Sequence, residues 1–293
     1  GEIARIEEAA KEKGIHVSIG LRIHPSFGFA GGRGEPSKFG IDEEEAITLL
    51  NDWHFPHLSP AGIHVHLKSQ ELSEEALALY YENVLLMAER LGRTEAMELS
   101  FVNLGSGIGI PMDPEDEEMD LALLEKAFAA LAGPFHDRFP KARLFLESGR
   151  YAPGPSGFYV TKALDRKVSE GKVFLITAGT MHGFLRPALA RLVEKYDETG
   201  HPALCEPLFS GARAFLISTL REGNPETVTI TGNLCTAADI IAEDITLPRL
   251  AEGDGIVIGN AGAYAATLSP FAFSSLERLK VFLLKETGDL EGV

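Results

Sequence analysis

The sequence predicts an α/β domain built on parallel strands, followed by a mostly antiparallel β-domain. Three observations carry that expectation. From the first residue to about residue 150, helix-period and strand patterns alternate, as in parallel strands joined by helical crossovers. After about Pro155 the rhythm changes to short strands separated by Gly, Pro, Asn and Asp, and long helical patterns become scarce. A chain of 293 residues with 45% hydrophobic content can also bury two cores rather than one. At this level the parallel part is open to two architectures, a barrel or a doubly wound sheet, and the boundary falls at about residue 155.

The elements follow in order. Glu2–Lys13 is amphipathic and predicts a helix, and His16–Ile23 reads as a strand. Asp42 with Glu45 three residues on looks like a capped start for the helical Ala46–Leu50. Gly62–Leu67 is a short strand. Ser73, with Glu74 and Glu75 in the first turn, caps a long helix to about Leu91. Ser100–Leu104 is a strand, Leu121–Leu131 a helix and Arg143–Glu147 a strand. That makes about four strand–helix units, where a closed barrel takes about eight. Beyond Pro155, Gly157–Val168, Lys172–Ala178, Thr227–Gly232, Asp254–Ile258 and Leu279–Leu284 read as strands.

Bulk properties exclude several functions. A formal net charge of −16 argues against binding nucleic acid or an anionic membrane, since both need a basic surface. No apolar run is long enough to span a bilayer, and residues 1–20 lack a signal-peptide pattern. Cys205 and Cys235 supply neither a disulfide framework nor a cysteine-based zinc site, so a reduced, cytoplasmic setting is expected.

Five segments carry chemistry. The run from Asn103 through Gly105, Ser106, Gly107, Ile108 and Gly109 follows a strand, where a glycine-rich turn lets backbone N–H groups approach a phosphate. A tight turn alone is the plainer account of those glycines. The run is not a dinucleotide fingerprint, because Pro111 and Asp113-Pro114 follow where a helix should start. Glu147-Ser148-Gly149-Arg150 sits at another strand end; it is either a surface ion pair or an acid facing a ring nitrogen beside an arginine facing a phosphate. His64 and His66 share one face of a strand ahead of Lys68, Ser69 and Gln70, and no third ligand at metal spacing joins them, so no metal is expected. The last two segments are Gly232–Asp239, containing Cys235, and Gly259–Tyr264.

Taken together and in this order, the segments resemble the fold-type-III pyridoxal-phosphate-dependent decarboxylases, the family of diaminopimelate, ornithine and arginine decarboxylases. Leu21-Arg22-Ile23-His24-Pro25, Lys38-Phe39-Gly40-Ile41, Gly179–Pro187 and Leu247-Pro248 support the resemblance, which runs from about Gly20 to the C-terminus. It implies the second half of a (β/α)8 TIM-type barrel, residues 1–155, and a β-domain, residues 156–293, carrying a catalytic cysteine and dimer contacts. It implies pyridoxal 5'-phosphate as cofactor, with His66 stacked on its ring and Glu147 paired with its nitrogen. Ser69, Gly105, Ser106, Gly107, Gly149, Arg150 and Tyr264 would hold the phosphate. Cys235 would reprotonate the substrate, delivered from the partner subunit of a homodimer, and Lys38 and Asp239 would pair across that interface. Arg186, Thr236 and Asp239 would face the amino-acid substrate.

This chain also departs from the family pattern. The family's Schiff-base lysine, in a Tyr-Ala-x-Lys-Ala-Asn type motif on an early barrel strand, is absent, so the sequence reads as a piece of a longer chain. Lys68 stands where relatives have Gly, and reads as a solvated or substrate-facing lysine rather than a substitute for the missing one. Ser148 replaces the usual proline. Thr236 replaces the acid that binds a distal ammonium in relatives acting on basic amino acids. That points to the siderophore and antibiotic branch and to a substituted amino acid such as citryl-diaminopropionate, with Arg186 and Lys68 suited to an anionic distal group. Two other readings are an amino-acid racemase and a catalytically inactive regulatory relative. The Glu147 and Cys235 segments speak against the first, and the retained His66, Glu147, Arg150, Cys235 and Tyr264 against the second.

Overall fold

The computed structural model describes residues 1–105, 107–112, 115–197 and 215–293, leaving aside the side chains of 193–197. Two compact units result: Gly1–Ile110 with Glu118–Gly149, and Pro111–Glu117 with Arg150–Val293.

The first unit runs α1 (Glu2–Lys13), β1 (Val17–His24), β2 (Ile41–Asp42), α2 (Glu43–Asn51), β3 (Leu58–His64), α3 (Glu74–Leu91), β4 (Phe101–Asn103), α4 (Leu121–Arg138) and β5 (Arg143–Phe145). All its strand pairs are parallel, in the order β2-β1-β3-β4-β5. Ser73 caps α3 as its sequence predicts, accepting the Ala76 N–H at 3.2 Å. At α2 the expected box does not form. Asp42 ends β2 and makes no side-chain cap bond, so Glu43, Glu44 and Glu45 serve the helix dipole instead. The chain pattern also undercounts the strands, because β2 is only two residues long and shows no alternation. Helix α4 continues through Pro134, past the Leu131 limit that the sequence suggests. Phe135 is fully buried, and its packing outweighs the N–H that Pro134 lacks.

Strand register sorts the sheet into rows. Gly20, Gly62, Phe101 and Arg143 are mutual neighbours, and two residues on so are Arg22, His64, Asn103 and Phe145. The alternate residues Leu21, Ile23, Ile63 and Val102 point the other way and are buried. They share a core with Leu77, Tyr80, Val84, Met87 and Leu91 of α3, which recur at helical spacing. Burying each such large side chain stabilises the unit by about 1.5–3 kcal/mol. On the opposite face the Phe101 ring takes the space left by two glycines: a Cβ on Gly20 or Gly62 would start 2.6 or 2.5 Å from it. The inner face is thus apolar low down and polar toward the carboxyl ends of the strands.

The second unit contains α5 (Pro153–Ser156), β6 (Tyr159–Ser169), β7 (Lys172–Thr177), α6 (Arg186–Asp197), β8 (Ile217–Thr219), β9 (Pro225–Thr231), β10 (Ile240–Pro248), β11 (Gly255–Ile258) and the hairpin β12 (Phe282–Leu284) with β13 (Leu290–Gly292). Its main sheet has the order β10-β9-β7-β6-β11-β8, antiparallel throughout except for the parallel pair β7 and β9. Leu175, Ile230, Ile241, Ile256 and Ile258 are buried in it. Helix α6 interrupts the stretch that reads as strands and turns. Its Pro187 looks like a helix breaker, but at the second helical position the missing N–H is harmless. No helix among the described residues is long and apolar enough to cross a membrane.

Candidate active site

The site begins where the rows end. His66, Gly105 and Glu147 each lie two residues beyond the paired His64, Asn103 and Phe145, and His24 takes the corresponding place after Arg22. The ladder continues into this row. Val65 N–H reaches Asn103 O at 2.9 Å, Leu104 N–H reaches Phe145 O at 2.9 Å, and Glu147 N–H reaches Gly105 O at 2.6 Å. Three residues expected to touch the cofactor therefore share one edge of the parallel sheet. Buried Tyr80 secures it from below, its hydroxyl 3.0 and 2.9 Å from the carbonyl oxygens of Val65 and Leu104. Strands β3 and β5 are shorter at this end than their sequence patterns suggest, so His66 and Glu147 stand on loops just past the strands.

Within this row each group is held. His66 Nε2 lies 3.0 Å from Ser69 Oγ. A side chain on Gly105 would begin 2.8 Å from His66 Nδ1 and 2.5 Å from Val65 O, so only glycine lets the loop pass beneath the imidazole. Asn103 bridges two site elements. Its Nδ2 donates to Glu147 Oε1 at 2.8 Å, and its Oδ1 accepts the Gly105 N–H at 2.9 Å. His64 Nε2 stands 3.8 Å from Glu147 Oε2. Burial lowers the proton affinity of His64, the Glu147 charge raises it, and Arg22 and His66 lower it again; the result is a depressed pKa.

The Ser69 loop and the glycine loop are joined through Glu71. Its N–H donates to Gly107 O at 2.7 Å, and its carbonyl accepts the Gly109 N–H at 2.9 Å. Its carboxylate accepts from Lys68 Nζ at 2.6 Å, Leu72 N–H at 3.1 Å and Ser73 N–H at 3.0 Å. Lys68 is thereby tied to an acid of its own loop. The Gly105 and Gly109 amides are likewise engaged inside the protein, which leaves less of the glycine loop for a phosphate than its sequence suggests. Ser106 lies outside the described residues, and Gly149 is exposed past β5.

The second unit brings together a different set. The Gly154 N–H bonds to Arg150 O at 2.7 Å, and the Ala261 and Gly262 N–H groups bond to Gly157 O at 2.9 Å and Gly154 O at 3.0 Å. This folds Tyr264 against Arg150, whose guanidinium carbon is 5.2 Å from the Tyr264 ring centre. Tyr264 has φ +59°, a left-handed conformation strained for a tyrosine and common at functional positions. Arg186 is 1% exposed and Arg150 7%. Burial, reinforced by the Arg150 charge and opposed by Tyr264, pulls Arg186 down to about 10. Cys235 is exposed and outside any disulfide. The Thr236 hydroxyl accepts the Ala238 N–H at 3.3 Å, within its own turn. Asp239, expected at the substrate and at a subunit interface, is 3% exposed within this chain, and its carboxylate accepts hydrogen bonds from groups of its own unit.

This fold and this row of residues define a barrel-type α/β domain with a companion β-domain, and comparison with known proteins identifies the family. Residues 1–154 match the pyridoxal binding domain of the pyridoxal-dependent decarboxylases and residues 151–262 their C-terminal sheet domain, so the chain belongs to that family. It is 30% identical to diaminopimelate decarboxylase of Methanothermobacter thermautotrophicus, over 97% of this chain and 63% of the relative. It is 29% identical to the decarboxylase of L-glutamyl BtrI acyl-carrier protein from Niallia circulans, over 99% of this chain and 66% of the relative. A crystal structure of Helicobacter pylori diaminopimelate decarboxylase complexed with L-lysine superposes with a TM-score of 0.77 at 25% identity, covering 99% of this chain and 67% of that one. The chain thus spans a little under two thirds of these curated relatives' length.

The residues fit pyridoxal phosphate, the family's cofactor. Its ring nitrogen needs an acid, and Glu147 offers a carboxylate with one oxygen fixed by Asn103. Its ring needs a flat face, which His66 supplies beside the Ser69 hydroxyl. Its phosphate needs a cationic donor, and Arg150, 7% exposed in the second unit, is of that type. Sequence patterns do not single out Asn103, Tyr80 or Glu71 as site residues. The one available signal is an asparagine two residues before the first glycine of the run.

Proposed function

We propose that the protein carrying this chain decarboxylates an amino acid with the help of pyridoxal phosphate, as a homodimer with shared active sites. The observation that carries this reading is the Glu147 carboxylate, fixed by Asn103 in the same row as His66. When bound, pyridoxal phosphate supplies a conjugated ring that takes up the electron pair left by departing CO2, and a protonated ring nitrogen deepens that sink. Glu147 keeps the proton on that nitrogen. A racemase does better with a weaker sink, so the same carboxylate argues for decarboxylation. His66 lies against the ring; Ser69, the Gly105–Gly107 turn, Gly149, Arg150 and Tyr264 grip the phosphate. Arg186 holds the substrate carboxylate, and the Cys235 thiol gives a proton to the α-carbon and recovers one from solvent. Residues 1–155 form the barrel part and 156–293 the β-domain in this scheme.

The substrate we propose is a substituted amino acid with an anionic distal group, such as a citryl-diaminopropionate siderophore intermediate. Support comes from Thr236, which offers no negative charge to a distal ammonium, and from the likeness to an enzyme acting on a carrier-bound glutamyl group. The test measures CO2 release by the full-length protein from a panel of free meso-diaminopimelate, lysine, ornithine and substituted diamino acids. Fastest turnover on a substituted acid is expected. Fastest turnover on meso-diaminopimelate would overturn the substrate assignment, and no release from any member would overturn the reaction.

A further inference from the structure

Asp239 sits beneath the turn that carries Cys235. Its carboxylate collects donors from two separate segments. The Leu234 N–H reaches Oδ2 at 2.9 Å, while the Met181 N–H at 3.3 Å and the Thr180 hydroxyl reach Oδ1. The backbone closes the same turn: Gly232 N–H bonds to Asp239 O at 2.9 Å and Asp239 N–H to Thr236 O at 3.2 Å. Thr180 is itself fully buried, and its carbonyl accepts the N–H groups of Gly183 at 2.9 Å and Phe184 at 2.8 Å, forming the turn that leads into α6 and Arg186. One buried carboxylate therefore fastens the Cys235 turn to the segment that delivers Arg186.

Two neighbours mark this node as tightly built. A Cβ on Gly232 would start 1.8 Å from Thr180 Oγ1 and 2.0 Å from Asp239 Oδ2, so no side chain fits between the two segments. His182, 5% exposed, also senses the carboxylate. A buried carboxylate with several donors is costly to disturb, since removing it leaves buried N–H and O–H groups unsatisfied.

We propose that Asp239, acting through Thr180 and the Leu234 amide, is the positioning residue that sets where the Cys235 thiol stands in the reaction. The proposal rests on the reading that Cys235 returns the proton. It replaces the substrate role that the sequence suggests for Asp239 with a role one step removed from the reacting atoms.

The test uses the full-length protein with Thr180→Val, Thr180→Ser and Asp239→Asn, each alone and with Cys235→Ala. The first readout is amide hydrogen exchange of the 232–240 segment without substrate. Thr180→Val and Asp239→Asn should each speed exchange at Leu234 about tenfold, while Thr180→Ser, which keeps the hydroxyl, should stay near wild type. The second readout is turnover. Thr180→Val should lower kcat about tenfold with KM little changed, and should add nothing once Cys235 is alanine, because coupled residues lose independent effects. Unchanged exchange in Thr180→Val, or a kcat loss that persists in full in the Cys235→Ala background, would overturn the proposal. If no substrate is turned over, the functional reading fails separately, and the exchange experiment still decides whether Asp239 holds the turn.

Discussion

Asn103→Ala tests how the ring-side row is held. Asn103 makes two bonds within the site: one to the charged Glu147 Oε1 at 2.8 Å and one from the Gly105 N–H at 2.9 Å. A hydrogen bond to a charged group contributes about 1.5–3 kcal/mol and a neutral one about 0.5–1.5 kcal/mol. The Glu147 side chain is 54% exposed, so the lower figure applies to the first bond, and the pair together hold about 2 kcal/mol of local order. Because about 1.4 kcal/mol corresponds to a factor of ten, kcat should fall roughly tenfold to thirtyfold, with cofactor affinity weakened less. Asn103→Asp discriminates the cause. It keeps the acceptor for Gly105 but sets a second carboxylate against Glu147, so it should be slower than the alanine variant although it retains one more bond. The assay is CO2 release at saturating cofactor, alongside fluorescence titration of pyridoxal phosphate. An Asn103→Asp enzyme faster than Asn103→Ala, or an alanine variant within twofold of wild type, would refute the claim that this amide orients Glu147.

Two further expectations concern stability and proton delivery. Glu43 is 4% exposed and accepts from Ser26 N–H at 3.2 Å, Ser26 Oγ at 2.8 Å and Arg90 Nε at 3.1 Å. Burial alone would raise its pKa, but the bonds from Arg90 and Ser26 outweigh burial and hold it below the usual 4.5. A depressed carboxyl pKa stabilises the fold above the unfolded value and loses that contribution as pH falls through the folded value. Glu43→Gln should therefore cost about 1–3 kcal/mol at pH 7, read as a shift in urea midpoint, with the gap to wild type closing below about pH 4; an equal gap at pH 7 and pH 3 would contradict the sign. Cys235→Ala should leave pyridoxal phosphate affinity intact while slowing turnover or altering the product. Unchanged kinetics would remove Cys235 from the reaction.

Much of the fold was legible because local chemistry and tertiary structure agree. The α1 residues are amphipathic and the helix ends on Gly14 in the left-handed conformation; Ser73 caps α3 as its sequence implies. The misses share a cause in contacts distant along the chain. Strand β2 exists through two pairings with β1 and carries no alternation of its own. The last turn of α4 survives Pro134 through the burial of Phe135. In the site, residue types were readable but their directions were not. The glycine run announces a tight turn, yet sequence cannot show that the Gly105 and Gly109 amides face Asn103 and Glu71. Asp239 has the residue type of a substrate contact, and only the fold shows its carboxylate enclosed by Thr180, Met181 and Leu234.

Register explains why separated motifs become one site. In a parallel sheet a residue's height is set by its strand's pairing, and side chains two apart return to the same face. His64, Asn103 and Phe145 are paired across β3, β4 and β5, so the residue two places on must share the next height: His66, Gly105 and Glu147. A slip of one residue in β4 would turn Gly105 to the helix side and bring Leu104 under the imidazole. The slip is opposed from both faces. Below the site, Phe101 needs the gap at Gly20 and Gly62, and behind it Val102 and Leu104 are fully buried beside α3. The apolar packing of this unit thus does more than stabilise it: it fixes the common height at which His66, Gly105 and Glu147 leave their strands.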